Sequence, residues 1–314
     1  MEEDKRILSI QSHVVHGYVG NRSATFPLQL QGWDVDAINT VQFSNHTGYG
    51  SVKGTKTTSE ELSSIYEGIK QAKFPYDALL TGYAPGQDGV DTIGKICTDI
   101  RQNNPECSWT CDPVMGDHGR LYVDESVIGV YKKIVLSGYV TLITPNQFEA
   151  ELLTGIKVDS WEKVKSVIDY FHKVCKIPNV VISSLSFKDT PRFIYSVGSS
   201  LVEGAENKVF YYKFPSIDSY FTGTGDLFAA LLTDRFYTYS KTLTAADLPL
   251  KVSLGEVLSV MTKVLERTMV AVKKAGFTGG VVGDAKSMSA AELRVIKCKD
   301  LLGSNEQTHE VHYI

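Results

Sequence analysis

Apolar residues along this chain come in two alternating rhythms. Short unbroken runs, the mark of strands buried on both faces, occur at 6–11, 35–40, 78–83, 108–112, 139–144 and 179–184. Between them lie stretches whose apolar positions fall three and four apart, the spacing of helices. They run through Leu28 and Leu30, along the stripe Leu62, Ile65 and Ile69, over 90–100, through Val127 and Val130, and over 148–153 and 161–174. Thr58-x-x-Glu61 opens the second of them as a capping box. Segments 193–197 and 209–214 alternate, carry aromatics and read as a β pair; helices follow at 227–236, 254–272 and near 290–296. The Gly-, Ser- and Thr-rich stretch 41–57 reads as a small flap or irregular hairpin outside the core. Strands alternating with helices predict an α/β fold, a mostly parallel central sheet covered by helices on both faces. No repeat or low-complexity linker interrupts it, so residues 1–314 read as a single domain.

Composition narrows the function more than the fold. A net charge of −4 without a basic block argues against nucleic acid as the principal partner, so any phosphate site must be built locally. No apolar stretch approaches the roughly 20 residues that span a bilayer. The polar, acidic Met1–Asp4 and the short run Ile7–Ile10 do not make a signal peptide. Cys97, Cys107, Cys111, Cys175 and Cys298 contain no C-x-x-C pair and suit reduced thiols. The expectation is a cytoplasmic protein with no membrane partner.

The strongest candidate chemistry is Phe221-Thr222-Gly223-Thr224-Gly225-Asp226, which runs directly into an apolar helix. Glycines let successive backbone N–H groups converge, and a helix N-terminus adds partial positive charge, so the turn is an anion cradle. Asp226 stands where it can take a proton from an attacking hydroxyl. In parallel α/β folds ligands bind beyond the carboxyl ends of the strands. Here those ends carry Ser12, Asp112, Thr144 with Asn146, Ser183 with Ser184, and Thr224 with Asp226. Asn146 and Glu149, three apart, are expected to share a helix face. A metal or its waters would sit between them and Asp112 or Asp117, because hard cations choose oxygen ligands. Gly89–Ile96 imitates a phosphate loop, but helical spacing through Val90, Ile93 and Ile96 puts Gly94 and Lys95 inside a helix. His13 and His16 read as surface or loop residues. For Tyr49 and Phe43, lining a pocket and packing the flap remain equally open.

Taken together, these blocks resemble the pyridoxal kinases of the ribokinase-like superfamily. The resemblance rests on Ser9–Val14 with Gly17–Asn21, Val41–Tyr49, Leu80–Tyr83, Cys111–Asp117, Ile143–Leu152 and Gly223–Ala229, in family order; the C-terminal third matches mainly at Glu292-Leu293-Arg294. It implies a ribokinase-like three-layer sandwich and ATP-dependent phosphorylation of the 5′-hydroxymethyl group of pyridoxal, pyridoxine and pyridoxamine. By motif, Asp226 would be the base, with Gly223, Thr224 and Gly225 as the anion hole. Ser12 and Thr47 would hydrogen-bond the ring, with Val19, Phe43, Tyr83 and Val114 packed around it. Asp112, Asn146, Glu149, Ser183, Ser184, Thr224 and Gly225 would serve ATP. Asp112, Asp117, Thr144, Glu149 and Ser183 would serve Mg²⁺ or another divalent cation, and K⁺ or Na⁺. Family members are typically homodimers. Ser183 replaces a common threonine, Thr222 replaces an apolar residue, and the loop Asp117–Val123 is shorter than in mammalian members. The alternatives are a hydroxymethylpyrimidine or other small-molecule kinase of the superfamily, and a non-catalytic pyridoxal-binding protein.

Overall fold

The unbroken apolar runs pair side by side as the middle of one sheet. The computed structural model describes residues 5–202 and 208–314, so the acidic start Met1–Asp4 lies outside the described residues. In chain order the strands are β1 (Lys5–Val14), β2 (Trp33–Phe43), β3 (Gly54–Lys56), β4 (Ala78–Thr81), β5 (Ser108–Cys111) and β6 (Gly116–Asp117). They continue as β7 (Arg120–Leu121), β8 (Leu142–Ile143), β9 (Asn179–Leu185), β10 (Phe193–Ser200), β11 (Val209–Pro215) and β12 (Val311–Tyr313). The helices are α1 (Asn21–Leu30), α2 (Ser59–Ala72), α3 (Gly86–Asn103), α4 (Ser126–Val135) and α5 (Gln147–Thr154). After them come α6 (Trp161–Asp169), α7 (Thr224–Thr242), α8 (Pro249–Lys274), α9 (Ala285–Ala290) and α10 (Lys299–Leu302).

The main sheet has the order β12-β11-β10-β9-β8-β5-β4-β1-β2-β3. Its centre, β9-β8-β5-β4-β1-β2, is parallel throughout. The outer strands β10, β11, β12 and β3 pair antiparallel. Strand parity sorts the core into two layers. Leu8, Ile10 and Leu79 face apolar side chains of α2 to α6, whereas Ile7, Ala78 and Leu80 face α1 and α7. A third cluster joins α7, α8 and α10 to the other half of the sheet. The sheet is therefore covered on both faces, as expected. Among the described residues no helix is long and apolar enough to cross a membrane.

Four expectations need correction. Val41 is buried and continues β2, which pairs with β1 as far as Phe43, while 54–56 form the edge strand β3. Only 44–53 remain as a loop, because an edge strand with one exposed side has the composition of a loop. Of the run 139–144, only Leu142–Ile143 pairs as strand. The stretch 161–174 is α-helical to Asp169 and then widens into a single π-type turn over Tyr170–Val174. No helix spans 290–296: α9 ends at Ala290, and Glu292–Arg294 follow it without helical structure. Gly94 and Lys95 do lie inside α3, where Lys95 pairs with Asp91 at 2.6 Å.

Candidate active site

Two glycines bring the β1–α1 loop and the N-terminus of α7 into contact. Gly223 caps α7 with φ 78°, and a Cβ there would stand 1.8 Å from the Tyr18 carbonyl oxygen. Gly20, at φ 53°, lies so close to Ser12 that a Cβ would stand 2.0 Å from its carbonyl oxygen. Only glycine tolerates both the left-handed backbone and the approach. The contact brings the Gly20 N–H toward the carboxylate of Asp226, in the first turn of α7. Burial pushes the Asp226 carboxyl above the usual aspartate range, and the Gly20 N–H offsets part of that. A helix N-terminus alone would favour the ionised, weakly basic form. Desolvation wins here, so Asp226 is a stronger base than an exposed aspartate.

Beside this turn lies a buried acidic group. Asp112, at the end of β5, is 6% exposed, and its Oδ2 is 3.7 Å from where a Cβ on Gly225 would stand. Burial pushes its carboxyl well up, and the charges of Glu149 and Asp226 push it the same way. Glu149 Oε1 accepts the N–H of Met115 (2.9 Å) and of Gly116 (3.4 Å), and Oε2 accepts the N–H of Asn146 (2.9 Å). Burial raises the Glu149 carboxyl, and these three donors hold it down. Asn146 Oδ1 in return accepts the Glu149 N–H at 2.9 Å, and Asn146 Nδ2 donates to Gly116 O at 2.8 Å. Asn146-x-x-Glu149 is thus the capping box of α5. The spacing of three reflects that box, with Asn146 ahead of the helix, and not two side chains sharing a helix face.

The remaining expected ligands sit around these. The buried Thr144 hydroxyl adjoins Asp112 without a hydrogen bond of ordinary geometry, which leaves its oxygen open. Ser183 donates both its N–H (2.9 Å) and its hydroxyl (3.3 Å) to Pro145 O, clamping the ends of β8 and β9 together, with Ser184 half-buried beside it. Asp117 lies on the β6–β7 hairpin, whose two-residue turn has His118 at φ 48° and Gly119 at φ 76°. Asp117 Oδ1 accepts the His118 N–H at 2.8 Å, so one of its oxygens already serves the turn. Beyond the hairpin, Tyr122 of the short loop comes near Tyr220, in the segment that enters the glycine turn. No lysine or arginine is among the groups that shift Asp112, Glu149 or Asp226. The donor set is all oxygen, net negative, and short of a cation. Among the described residues no three acidic, histidine or cysteine side chains already converge as a metal cage.

The expected ring-binding residues come from the ends of neighbouring strands. Ser12 is buried near the end of β1 and Val19 in the β1–α1 loop; Phe43, Tyr83 and Val114 are half-buried at the exits of β2, β4 and β5. Val15 N–H donates to Phe43 O (2.8 Å) and His16 N–H to Ser44 O (2.9 Å), zipping the two loops together. The Thr40 hydroxyl donates to Tyr83 O at 2.8 Å. Thr47 stays exposed in a 3₁₀ turn over Thr47–Tyr49. Tyr49 packs the flap: its hydroxyl donates to Glu292. Glu292 also approaches His16 Nε2 at 3.4 Å. Sequence reasoning passed over Gly20 and Glu292 as working parts. Gly20 carried a local sign, a glycine just before a helix; Glu292 stood out only as part of the matching Glu292-Leu293-Arg294, with nothing to name its partners far back along the chain.

Comparison with known proteins bears on the family and the fold. The phosphomethylpyrimidine kinase family model matches residues 35–247. The BUD16 protein of Saccharomyces cerevisiae is 44% identical over 98% of both chains, and the pyridoxal kinase of Ovis aries is 40% identical over 98% of this chain and 97% of that one. The solved structure of Leishmania donovani pyridoxal kinase with ADP and pyridoxine superposes with a TM-score of 0.84 at 34% identity, covering 99% of this chain and 100% of that chain.

Proposed function

This chain belongs to the pyridoxal kinase family of the ribokinase-like superfamily, and from that premise we propose how its residues carry out the reaction. The activity is ATP-dependent phosphorylation of vitamin B6: the γ-phosphoryl group of ATP passes to the 5′-hydroxymethyl oxygen of pyridoxal, pyridoxine or pyridoxamine, leaving ADP. Phosphoryl transfer asks little covalent help of a protein; it needs an aligned hydroxyl and neutralised phosphate oxygens. Asp226 receives the hydroxyl proton. The N–H groups of Gly223, Thr224 and Gly225 at the start of α7 face the charge that builds on the transferring group. Ser12 and Thr47 hydrogen-bond the ring, and Val19, Phe43, Tyr83 and Val114 enclose it.

Asp112, Asn146, Glu149, Ser183, Ser184 and Thr224 serve the nucleotide. The buried, net-negative oxygen set fits a divalent cation, which Asp112 would hold with help from Glu149 and Asp117, its shell completed by phosphate and water oxygens. Bound there, Mg²⁺ would neutralise phosphate charge. The open Thr144 oxygen beside Asp112, with Ser183, suits a monovalent cation such as K⁺. One sheet drawing strands from residue 5 to residue 313 supports a single catalytic unit. Five free, buried cysteines support a reducing, cytoplasmic setting. We read the enzyme as a homodimer, as is typical of the family.

The observation that carries this reading is Asp226 in the first turn of α7, directly after the glycine turn that Gly223 packs against the Tyr18 carbonyl and beside the buried Asp112. Its test is turnover of pyridoxal with ATP, Mg²⁺ and K⁺, wild type beside Asp226→Asn. The variant should lose about 10²–10⁴-fold in rate while still binding pyridoxal. Equal rates would remove Asp226 as the base. Pyridoxal binding without turnover in the wild type would leave a non-catalytic binding protein. The name of the matching family model favours a pyrimidine as second reading; competition between hydroxymethylpyrimidine and pyridoxal for phosphorylation separates the two.

A further inference from the structure

A segment remote in sequence grips the vitamin-binding side of the site. Residues 280–294 run from the entrance of the catalytic turn to the 44–53 loop. At one end Gly280 O accepts the Tyr220 N–H (3.2 Å) and Gly280 N–H donates to the Ser219 hydroxyl (3.0 Å). In the middle the Gly283 N–H donates to Gly48 O at 2.8 Å. At the other end Ala291, Leu293 and Val295 are all but fully buried, and the Arg294 N–H donates to the Thr268 hydroxyl of α8 at 3.2 Å. Glu292 is thereby held between two core residues, with its side chain 7% exposed and turned toward the loops.

There Glu292 meets both loops at once. It accepts the Tyr49 hydroxyl from the 44–53 loop. It also lies against the β1–α1 loop, 3.4 Å from His16 Nε2, and 2.7 Å from where a Cβ on Gly17 would stand. Any side chain at position 17 would collide with it. These are the loops that carry Thr47 and Val19.

We propose that Glu292 is a positioning residue for the vitamin ring: anchored in the core through its neighbours, it holds the 44–53 loop and the β1–α1 loop in the spacing the ring requires. It touches neither the reacting atoms nor the nucleotide. Its effect should therefore fall on pyridoxal affinity and not on ATP affinity or the chemical step. The proposal rests on the pyridoxal kinase reading.

The test uses the full chain with Glu292→Ala, Glu292→Gln and Tyr49→Phe, measuring kcat, the KM for pyridoxal, the KM for ATP, and amide exchange over 44–53. Glu292→Ala and Tyr49→Phe should each raise the KM for pyridoxal about tenfold, the worth of one hydrogen bond to a charged group. The KM for ATP and kcat should stay within about twofold. Glu292→Gln, which still accepts the Tyr49 hydroxyl, should recover much of the loss. Exchange at 44–53 should quicken in the first two variants. An unchanged pyridoxal KM with unchanged exchange would overturn the proposal, as would equal losses in both KM values and kcat. Should Glu292→Ala fail to fold, Tyr49→Phe removes only a hydroxyl and decides alone. Should the wild type fail to phosphorylate pyridoxal, the functional reading falls, while the exchange data still judge the grip of Glu292.

Discussion

Asp226, the proposed base, shows how a residue placed for chemistry opposes stability. An aspartate near a helix N-terminus normally gains from the macrodipole. Here desolvation outweighs that gain and raises its folded pKa above the ordinary 3.8. The sign of the consequence follows from linkage. A carboxyl whose pKa is higher folded than unfolded stabilises the fold below the unfolded pKa, in its protonated form, and loses that contribution as pH rises through the folded pKa. At neutral pH the ionised Asp226 is therefore a net cost. Asp226→Asn should melt at a higher temperature than wild type at pH 8, with the gap closing toward pH 4. Calorimetry across that range checks it; a variant less stable at pH 8 would show that the Gly20 N–H outweighs burial. The same shift has a kinetic face. The acid limb of kcat/KM for pyridoxal should lie above the pH at which an exposed aspartate titrates, and should vanish in Asp226→Asn.

At the scale of elements, the turn from β8 into α5 is fixed by a carboxylate that spans two loops. Glu149 closes the capping box with Asn146 and also accepts the N–H groups of Met115 and Gly116 at the root of the β6–β7 hairpin. Glu149→Ala would strand three buried donors, so it should destabilise the protein by about 3 kcal/mol or more. Asn146→Ala, losing a cap and one bond to Gly116 O, should lose about 1–2 kcal/mol. Urea titration of both measures the difference; equal, small losses would mean that water replaces the carboxylate. This box was within reach of sequence reasoning, since Thr58-x-x-Glu61 was recognised by the same rule. Asn146 and Glu149 also fit a metal site, and spacing alone does not choose between the two. The glycine turn before α7 and the parallel centre were legible because each depends on residues adjacent in the chain. The hairpin at Asp117, the edge strand β3 and the strand β12 were not, because short strands are defined by their partners and not by their own pattern.

The whole molecule is closed by a buried ionic network that left no local mark. Asp234 and Arg235, adjacent on α7, are almost fully buried, as is Glu256 on α8. Asp234 Oδ1 accepts from Lys5 Nζ (3.0 Å) on β1 and from Trp33 Nε1 (2.8 Å) on β2. Arg235 pairs with Asp234 (2.6 Å) and Glu256 (3.2 Å) and donates to Leu302 O (3.0 Å) of α10. Neighbouring opposite charges in a helix usually face water, and only the fold reveals that α8 and the C-terminal segment cover these. The first strand β1 and the C-terminal helix α10 are thus both fastened to the helix that carries Asp226. The energetics of such networks are asymmetric: intact, they add little over a well-packed apolar core, but removing one partner leaves an uncompensated buried charge. Arg235→Met should therefore cost about 3–5 kcal/mol. Adding Glu256→Gln should restore part of that, since Asp234 keeps Lys5 while Glu256 no longer carries an unpaired charge. Asp226 lies nine residues away, about 13 Å along the helix, and the start of α7 has its own fastening at Gly223 and Tyr18. The folded fraction of Arg235→Met should accordingly turn over pyridoxal at close to the wild-type rate. A large fall in kcat without a fall in stability would instead mean that the network tunes the catalytic turn through the helix.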